Sequence, residues 1–258
     1  MTAPFTFLML PPQSDIARGW ARRLAAELPQ AEIVVAETAA EAEAALPRAG
    51  GIYGTLTPDL LRRAENLCWL QVPFAAPPAG YYFEELVAHP VVATNMREIY
   101  NDHIGAHVMA WVLMFARNFQ TFLPQQARRE WRMPPLDTGV VDLASATMLV
   151  VGLGGIGMET ARLAATFGMT VIATDPRRTA PTEGVSELHP ADALDGLAGR
   201  ADFVVVTIPH TPKTEGMFDR AFFRRMKKGA FFINVGRGMT TRLDDLVAAP
   251  RAGEIARA

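Results

Sequence analysis

The chain has 258 residues, enough for two compact domains of about 100–150 residues each. Half of the residues are hydrophobic and a fifth are charged, and 25 Lys and Arg against 27 Asp and Glu leave a net charge of −2. This balance is ordinary for a soluble α/β protein and argues against a nucleic-acid or anionic-membrane partner.

The N-terminus, M-T-A-P-F-T-F, has no basic leader, and the uncharged run Leu143–Met158 is glycine-rich and too short to span a membrane. One cysteine, Cys68, lies in the apolar run Leu67–Val72. A lone cysteine excludes an internal disulfide framework, and this one is expected to be a buried, inert thiol in a cytoplasmic protein.

Through the first hundred residues, short apolar runs alternate with amphipathic ones. Phe5–Leu10, Ile33–Ala36, Gly51–Gly54, Trp69–Phe74 and Val91–Thr94 read as strands. Ser14–Leu28, Ala39–Leu46 and Pro58–Ala64 read as helices, with Ser14, Thr38 and Thr57 as their caps. Strands alternating with helices predict βαβ units and a parallel sheet, here a doubly wound, flavodoxin-like domain over residues 1–98.

A long apolar helix is predicted over Asp102–Phe122, with Trp111, Phe115 and Phe119 among its large side chains. So apolar a helix needs a core or a partner, and a homodimer through the 102–122 region is expected. Gln125–Thr138 reads as a loop or arm. A second α/β domain, residues 99–258, follows.

Its first strand runs into Gly152-x-Gly154-x-x-Gly157, then a helix over Glu159–Phe167, a second strand over Met169–Ala173, and Asp175. This is the order of a dinucleotide fingerprint. Gly152 allows a tight turn, Gly154 lets backbone approach a pyrophosphate, and Gly157 lets helix pack on strand. Asp175 comes 18 residues after Gly157, close to the spacing of about 20 for an acid that grips ribose hydroxyls.

Later strands are predicted at Phe203–Ile208 and Ala230–Val235, with helices around Arg220–Lys227 and from Leu243. The last strand ends in Gly236-Arg237-Gly238. An arginine there points into the crevice of such a sheet, where a guanidinium can grip a carboxylate and polarise a carbonyl.

V-V-G-L-G-G-I-G, A-T-D-P-R-R, I-P-H-T-P-K-T-E-G-M-F and M-K-K-G-A-F-F-I-N-V-G-R-G together resemble the D-2-hydroxyacid dehydrogenases, in their glyoxylate/hydroxypyruvate reductase-like branch. The segment Asn95–His107 is similar to that family's lead into its interdomain helix. The resemblance implies a flavodoxin-like substrate domain, a Rossmann NAD-binding domain and hydride transfer between the cofactor and a small 2-hydroxy or 2-keto acid.

It also implies roles. Arg237 would be catalytic and bind substrate, together with the loop residues Ala75 and Ala76. Gly154, Gly155 and Ile156 would face the pyrophosphate. Ile208, Pro209 and Thr214 would line the nucleotide, with Val235 and Gly236 under the nicotinamide ribose.

The chain departs from the family pattern in places. Pro77 and Pro78 remove two N–H donors from the substrate loop, Ala106 stands where Glu is frequent, and Ser145-Ala146 replaces a frequent Gly-Lys. The sequence stops at Arg251–Ala258, ahead of the family's Glu/His acid–base pair and its helix returning to the first domain, so the expectation is a C-terminally incomplete chain.

A positioned acid is worth about 10²–10⁴-fold in rate, so a dinucleotide-binding protein without turnover is the alternative reading. Candidate stand-ins are His103 and His107, four apart on one helix, and His210, expected to face the cofactor crevice. His189 is placed in a loop. No cluster has metal-ligand spacing. Asp175 favours NAD, while Arg177 and Arg178 leave NADP open.

Overall fold

A computed structural model of the chain describes residues 5–75, 77–78, 80–132 and 139–258. The chain divides into two units, Met1–Ile99 and Tyr100–Ala258.

The first unit alternates strand and helix: β1 (Phe5–Met9), α1 (Asp15–Glu27), β2 (Ala31–Val35), α2 (Ala39–Ala45), β3 (Ala49–Tyr53), α3 (Pro58–Arg63), β4 (Trp69–Gln71), α4 (Glu84–Ala88) and β5 (Val92–Thr94). The strands form one parallel sheet in the order β2-β1-β3-β4-β5. Period-two alternation sends Leu8 and Ile52 to one core with Ala42, Leu46 and Leu61, and Phe7 and Met9 to the other with Ala17 and Ala21 of α1.

Ser14, Thr38 and Thr57 each accept a backbone N–H as N-caps of α1, α2 and α3, contacts worth about 1 kcal/mol apiece. Cys68 is exposed rather than buried. It precedes β4, and its Sγ donates to the Gly50 carbonyl at 3.2 Å.

The second unit holds α5 (Asn101–Ala116), α6 (Phe119–Ala127), β6 (Thr147–Val151), α7 (Gly155–Thr166), β7 (Thr170–Thr174), β8 (Glu187–His189), α8 (Leu194–Leu197), β9 (Phe203–Val206), α9 (Arg220–Arg225), β10 (Phe231–Asn234) and α10 (Leu243–Arg251). Its parallel sheet runs β10-β9-β6-β7-β8. Met148, Val150, Val171 and Val205 face α5 and α7, and Leu149, Val151, Val204 and Val206 face α8, α9 and α10.

Phe231 stacks between Phe115 and Phe203, with centroids 5.0 and 5.1 Å away, and so ties α5 to the sheet. Gly105 of α5 lies so close to α7 that a Cβ would sit 2.8 Å from Glu159 Cγ.

The single helix expected over Asp102–Phe122 is two. Asn118 adopts a left-handed backbone (φ 57°) between α5 and α6, a conformation asparagine tolerates. Only α5 buries a face, through Val108, Met109, Val112 and Phe115, and α6 buries no residue. His189 ends strand β8 rather than lying in a loop. Of the predicted arm, residues 133–138 lie outside the described part. Among the described residues no helix is long and apolar enough to cross a membrane.

Candidate functional site

In the second sheet the strand order reverses beside β6, which pairs with β7 on one side and β9 on the other. Ligands of such sheets sit outside the carboxyl ends of the strands at this point. A cleft of about 560 Å³ opens there, lined by Gly152, Gly154, Thr174, Asp175, Pro176, Arg177, Thr207, Ile208, Pro209, Lys213 and Thr214 among others.

The turn from β6 into α7 requires its glycines. Gly152 has φ +94°, and a Cβ on Gly157 would run into the Gly152 carbonyl oxygen. Gly154 caps α7, with open space where a Cβ would be. The N–H groups of Gly155, Ile156 and Gly157 belong to the first turn of α7 and have no partner within the helix, which suits an anion.

Asp175 is buried, at 6% exposure, just beyond β7. Its Oδ2 accepts Leu153 N–H at 2.9 Å, and its Oδ1 accepts Arg177 and Arg178 N–H at 2.8 and 3.1 Å. Burial pushes its pKa up, but these backbone donors more than offset that and hold the carboxyl below its ordinary value. The two arginines beyond it part company. Arg177 is exposed and lines the cleft, whereas Arg178 turns inward, with Nε donating to the Leu153 carbonyl at 2.6 Å and Nη2 to Met158 Sδ at 2.9 Å.

Ile208 joins the glycine turn to the end of β10. A Cβ on Gly152 would meet its Cγ2 at 2.7 Å, and one on Gly236 its carbonyl oxygen at 2.5 Å. Thr214 locks the adjoining loop, accepting Thr211 N–H and donating to Pro209 O, each at 2.8 Å.

Val235 is half-buried and donates its N–H to Val206 O at 3.1 Å. Arg237 is exposed just past β10, its Nη1 on the Gly236 carbonyl at 2.8 Å, and it lies outside the lining of the 560 Å³ cleft. Its backbone is fixed by Asn234. The Asn234 amide donates to Arg237 O, Thr240 Oγ1 and Thr241 Oγ1 and accepts Gly236 N–H at 2.9 Å.

Sequence reasoning passed over three residues here: Asn234, Lys213 and Thr207, whose Oγ1 donates to Gly152 O at 2.6 Å. The signal for Asn234 was its place between a buried strand and Gly236-Arg237-Gly238. For the other two there was none, because their roles depend on loops meeting in space.

In the first unit, Ala75 follows β4, and its carbonyl accepts Asn95 Nδ2 at 3.2 Å. Ala76 lies outside the described residues. The loop returns through Tyr81, whose buried hydroxyl donates to Gly54 O at 2.6 Å.

His210 is absent from the lining of this cleft and sits 3.5 Å from Glu215. His107 accepts Trp111 Nε1 one turn along α5, at 3.0 Å. Among the described residues no group of three His, Cys, Asp or Glu is placed to hold a metal ion.

Residues 109–258 match the family model for the NAD-binding domain of D-isomer specific 2-hydroxyacid dehydrogenases. The human glyoxylate reductase/hydroxypyruvate reductase is 37% identical over 116 residues, 45% of this chain and 35% of that protein. Glyoxylate/hydroxypyruvate reductase B of Salmonella paratyphi B is 34% identical over 175 residues, 67% of this chain and 53% of that one. The chain thus spans between a third and about half of these curated relatives. A D-isomer specific 2-hydroxyacid dehydrogenase from Xanthobacter autotrophicus, solved with NADPH and MES, superposes with a TM-score of 0.80 at 26% identity, over 98% of this chain and 79% of that one.

Proposed function

Because the chain belongs to the D-isomer specific 2-hydroxyacid dehydrogenase family, we propose that it transfers a hydride between NAD(P)(H) and a small 2-keto or 2-hydroxy acid. The observation that carries this is the cleft at the strand-order reversal, with the glycine turn and Asp175 on its wall and the Arg237 loop meeting Ile208 beside it. The dinucleotide supplies or accepts the hydride.

The residues of the chain bind and orient. Gly154, Gly155 and Ile156 present backbone N–H groups to the pyrophosphate. Ile208, Pro209 and Thr214 border the nucleotide, and Val235 and Gly236 support its nicotinamide ribose. Arg237 grips the substrate carboxylate and stabilises charge on the carbonyl oxygen as it becomes an alkoxide. A guanidinium is a poor proton donor, so the proton comes from another group.

Asp175 favours NAD by repelling a 2′-phosphate, and Arg177 on the same wall leaves NADP open. The first unit is the substrate-binding domain of this reading. Protomers pair through the 102–122 helix region, where Trp111 and Phe119 are exposed. A monomer in light scattering would overturn that pairing. The single cysteine suits the reducing cytoplasm.

The test of the reaction is NADH and NADPH consumption with glyoxylate, hydroxypyruvate and pyruvate, run beside nicotinamide-fluorescence binding. Turnover is expected, and Arg237→Met should lower it about 10²-fold or more while changing cofactor affinity less than about twofold. Binding without turnover on any of the three acids would favour the second reading, a dinucleotide-binding protein that does no chemistry. One observation favours that reading: among the described residues, no histidine lines the cleft.

A further inference from the structure

The two peptides on either side of Leu153 are held from outside their own turn. Leu153 is fully buried, its N–H is taken by Asp175 Oδ2 at 2.9 Å, and its carbonyl is taken by Arg178 Nε at 2.6 Å. Arg178 is itself anchored twice, by its own N–H on Asp175 Oδ1 at 3.1 Å and by Nη2 on Met158 Sδ at 2.9 Å. On the preceding peptide, the Gly152 carbonyl accepts Thr207 Oγ1 at 2.6 Å. Three side chains, from the segments that follow β7 and β9 on either side of β6, therefore fix the two peptide planes that lead into α7.

A peptide unit is planar and trans, so its N–H points opposite to its carbonyl. With the Leu153 carbonyl drawn to Arg178, the N–H of Gly154 is turned away from Arg178. Gly154 lines the cleft. Without Arg178 nothing among the hydrogen bonds just described would stop this peptide from rotating. A bound pyrophosphate would then have to restore its orientation at a cost in affinity.

We propose that Arg178 is a positioning residue for the dinucleotide pyrophosphate, acting through the Leu153–Gly154 peptide, and not a ligand for a 2′-phosphate. Asp175 is its partner in the same clamp. The proposal rests on the reading that this cleft takes NAD(P), and it assigns contact with the adenosine ribose edge to the exposed Arg177 alone of the two arginines.

The test compares wild type, Arg178→Met, Arg178→Lys and Arg177→Met. NADH and NADPH are titrated by nicotinamide fluorescence, ADP-ribose and adenosine by calorimetry. Arg178→Met is expected to weaken NADH, NADPH and ADP-ribose by one common factor of about 10, the equivalent of one lost hydrogen bond to a charged donor, and to leave adenosine unchanged. Arg178→Lys keeps a cationic donor for the Leu153 carbonyl and should recover part of the loss, which also covers the case in which the methionine variant fails to fold. Arg177→Met should change the NADPH to NADH ratio only.

A selective loss of NADPH in either Arg178 variant would make Arg178 a 2′-phosphate ligand and overturn the proposal. An equal loss for adenosine, or none for any of the four, would overturn it as well. A wild type that binds none of the four would sink the cofactor reading itself, and this proposal with it.

Discussion

The two sheets of this chain are built alike and end differently. Each has five parallel strands and reverses its strand order beside its first strand, β1 between β2 and β3, and β6 between β7 and β9. The turn after that first strand is the place where such sheets receive a ligand. In the second unit it reads Gly-Leu-Gly-Gly-Ile-Gly, and Gly152 and Gly154 line a cleft.

In the first unit it reads Leu10-Pro11-Pro12-Gln13. Two prolines bring no N–H donors, and Gln13 Nε2 donates to the carbonyls of Met9, Leu10 and Ala36 at 2.9, 2.9 and 3.0 Å. Ser14 then spends its hydroxyl oxygen on the α1 N-terminus. Topology offers both units the same crevice, and turn chemistry opens one of them to an anion and fills the other.

Breaking the open turn should have the largest effect. A side chain at residue 157 collides with the Gly152 carbonyl, which the loop cannot move without releasing Thr207. Gly157→Val is expected to abolish dinucleotide binding, a loss of at least about 10²-fold by fluorescence titration, and to lower the Tm. Gly154→Ala has open space for its methyl, so its Tm should stay near wild type while binding weakens. A Gly157→Val variant that binds normally would refute the geometry of the turn.

Next in size is the clamp that supports the turn. In Asp175→Asn an amide hydrogen faces backbone N–H groups that met a carboxylate, a loss of about 1–3 kcal/mol. The pH dependence carries a sign. Asp175 titrates below its ordinary value in the folded chain, so its contribution is fully present above the unfolded value of about 3.9 and is lost as pH falls toward the folded one. Denaturant titrations should show a constant gap between wild type and Asp175→Asn above about pH 5, narrowing below about pH 4. A gap that widens in acid would mean that this carboxyl is not the group held charged.

What the sequence disclosed follows the range of the interactions concerned. Strand alternation, the three helix caps and the glycine spacing are local, and each could be read from a dozen neighbouring residues. The break at Asn118 was hidden because the apolar pattern runs on through Phe119 and Phe122, and one left-handed residue ends a helix without a proline or glycine to mark it. Cys68 sat in an apolar run, yet its own side chain is exposed just ahead of β4, between buried Leu67 and half-buried Trp69.

The candidate site divides the same way. Gly152, Gly157, Asp175 and Arg237 were visible as motifs. The inward turn of Arg178 onto Leu153 and the support of Gly152 by Thr207 join residues 25 and 55 positions apart, which only the fold brings together, whereas the bond from Asn234 to Thr240 spans six.

The smallest effect tests the closed side of the comparison. Tyr81 donates its buried hydroxyl to Gly54 O at 2.6 Å, joining the loop after β4 to the one after β3, and burial pushes its pKa up to about 12. Tyr81→Phe leaves the Gly54 carbonyl short of a partner and should cost about 1 kcal/mol in denaturant unfolding. The phenol keeps its proton more firmly folded than unfolded, so this contribution is intact below about pH 10 and is lost as pH rises toward about 12. The variant should therefore approach wild-type stability only in that alkaline window, with NADH affinity unaltered throughout, because Tyr81 lies in the unit whose first turn offers no anion site. If Tyr81→Phe instead weakened NADH binding without destabilising the fold, the division of labour between the open and the filled turn would have to be abandoned.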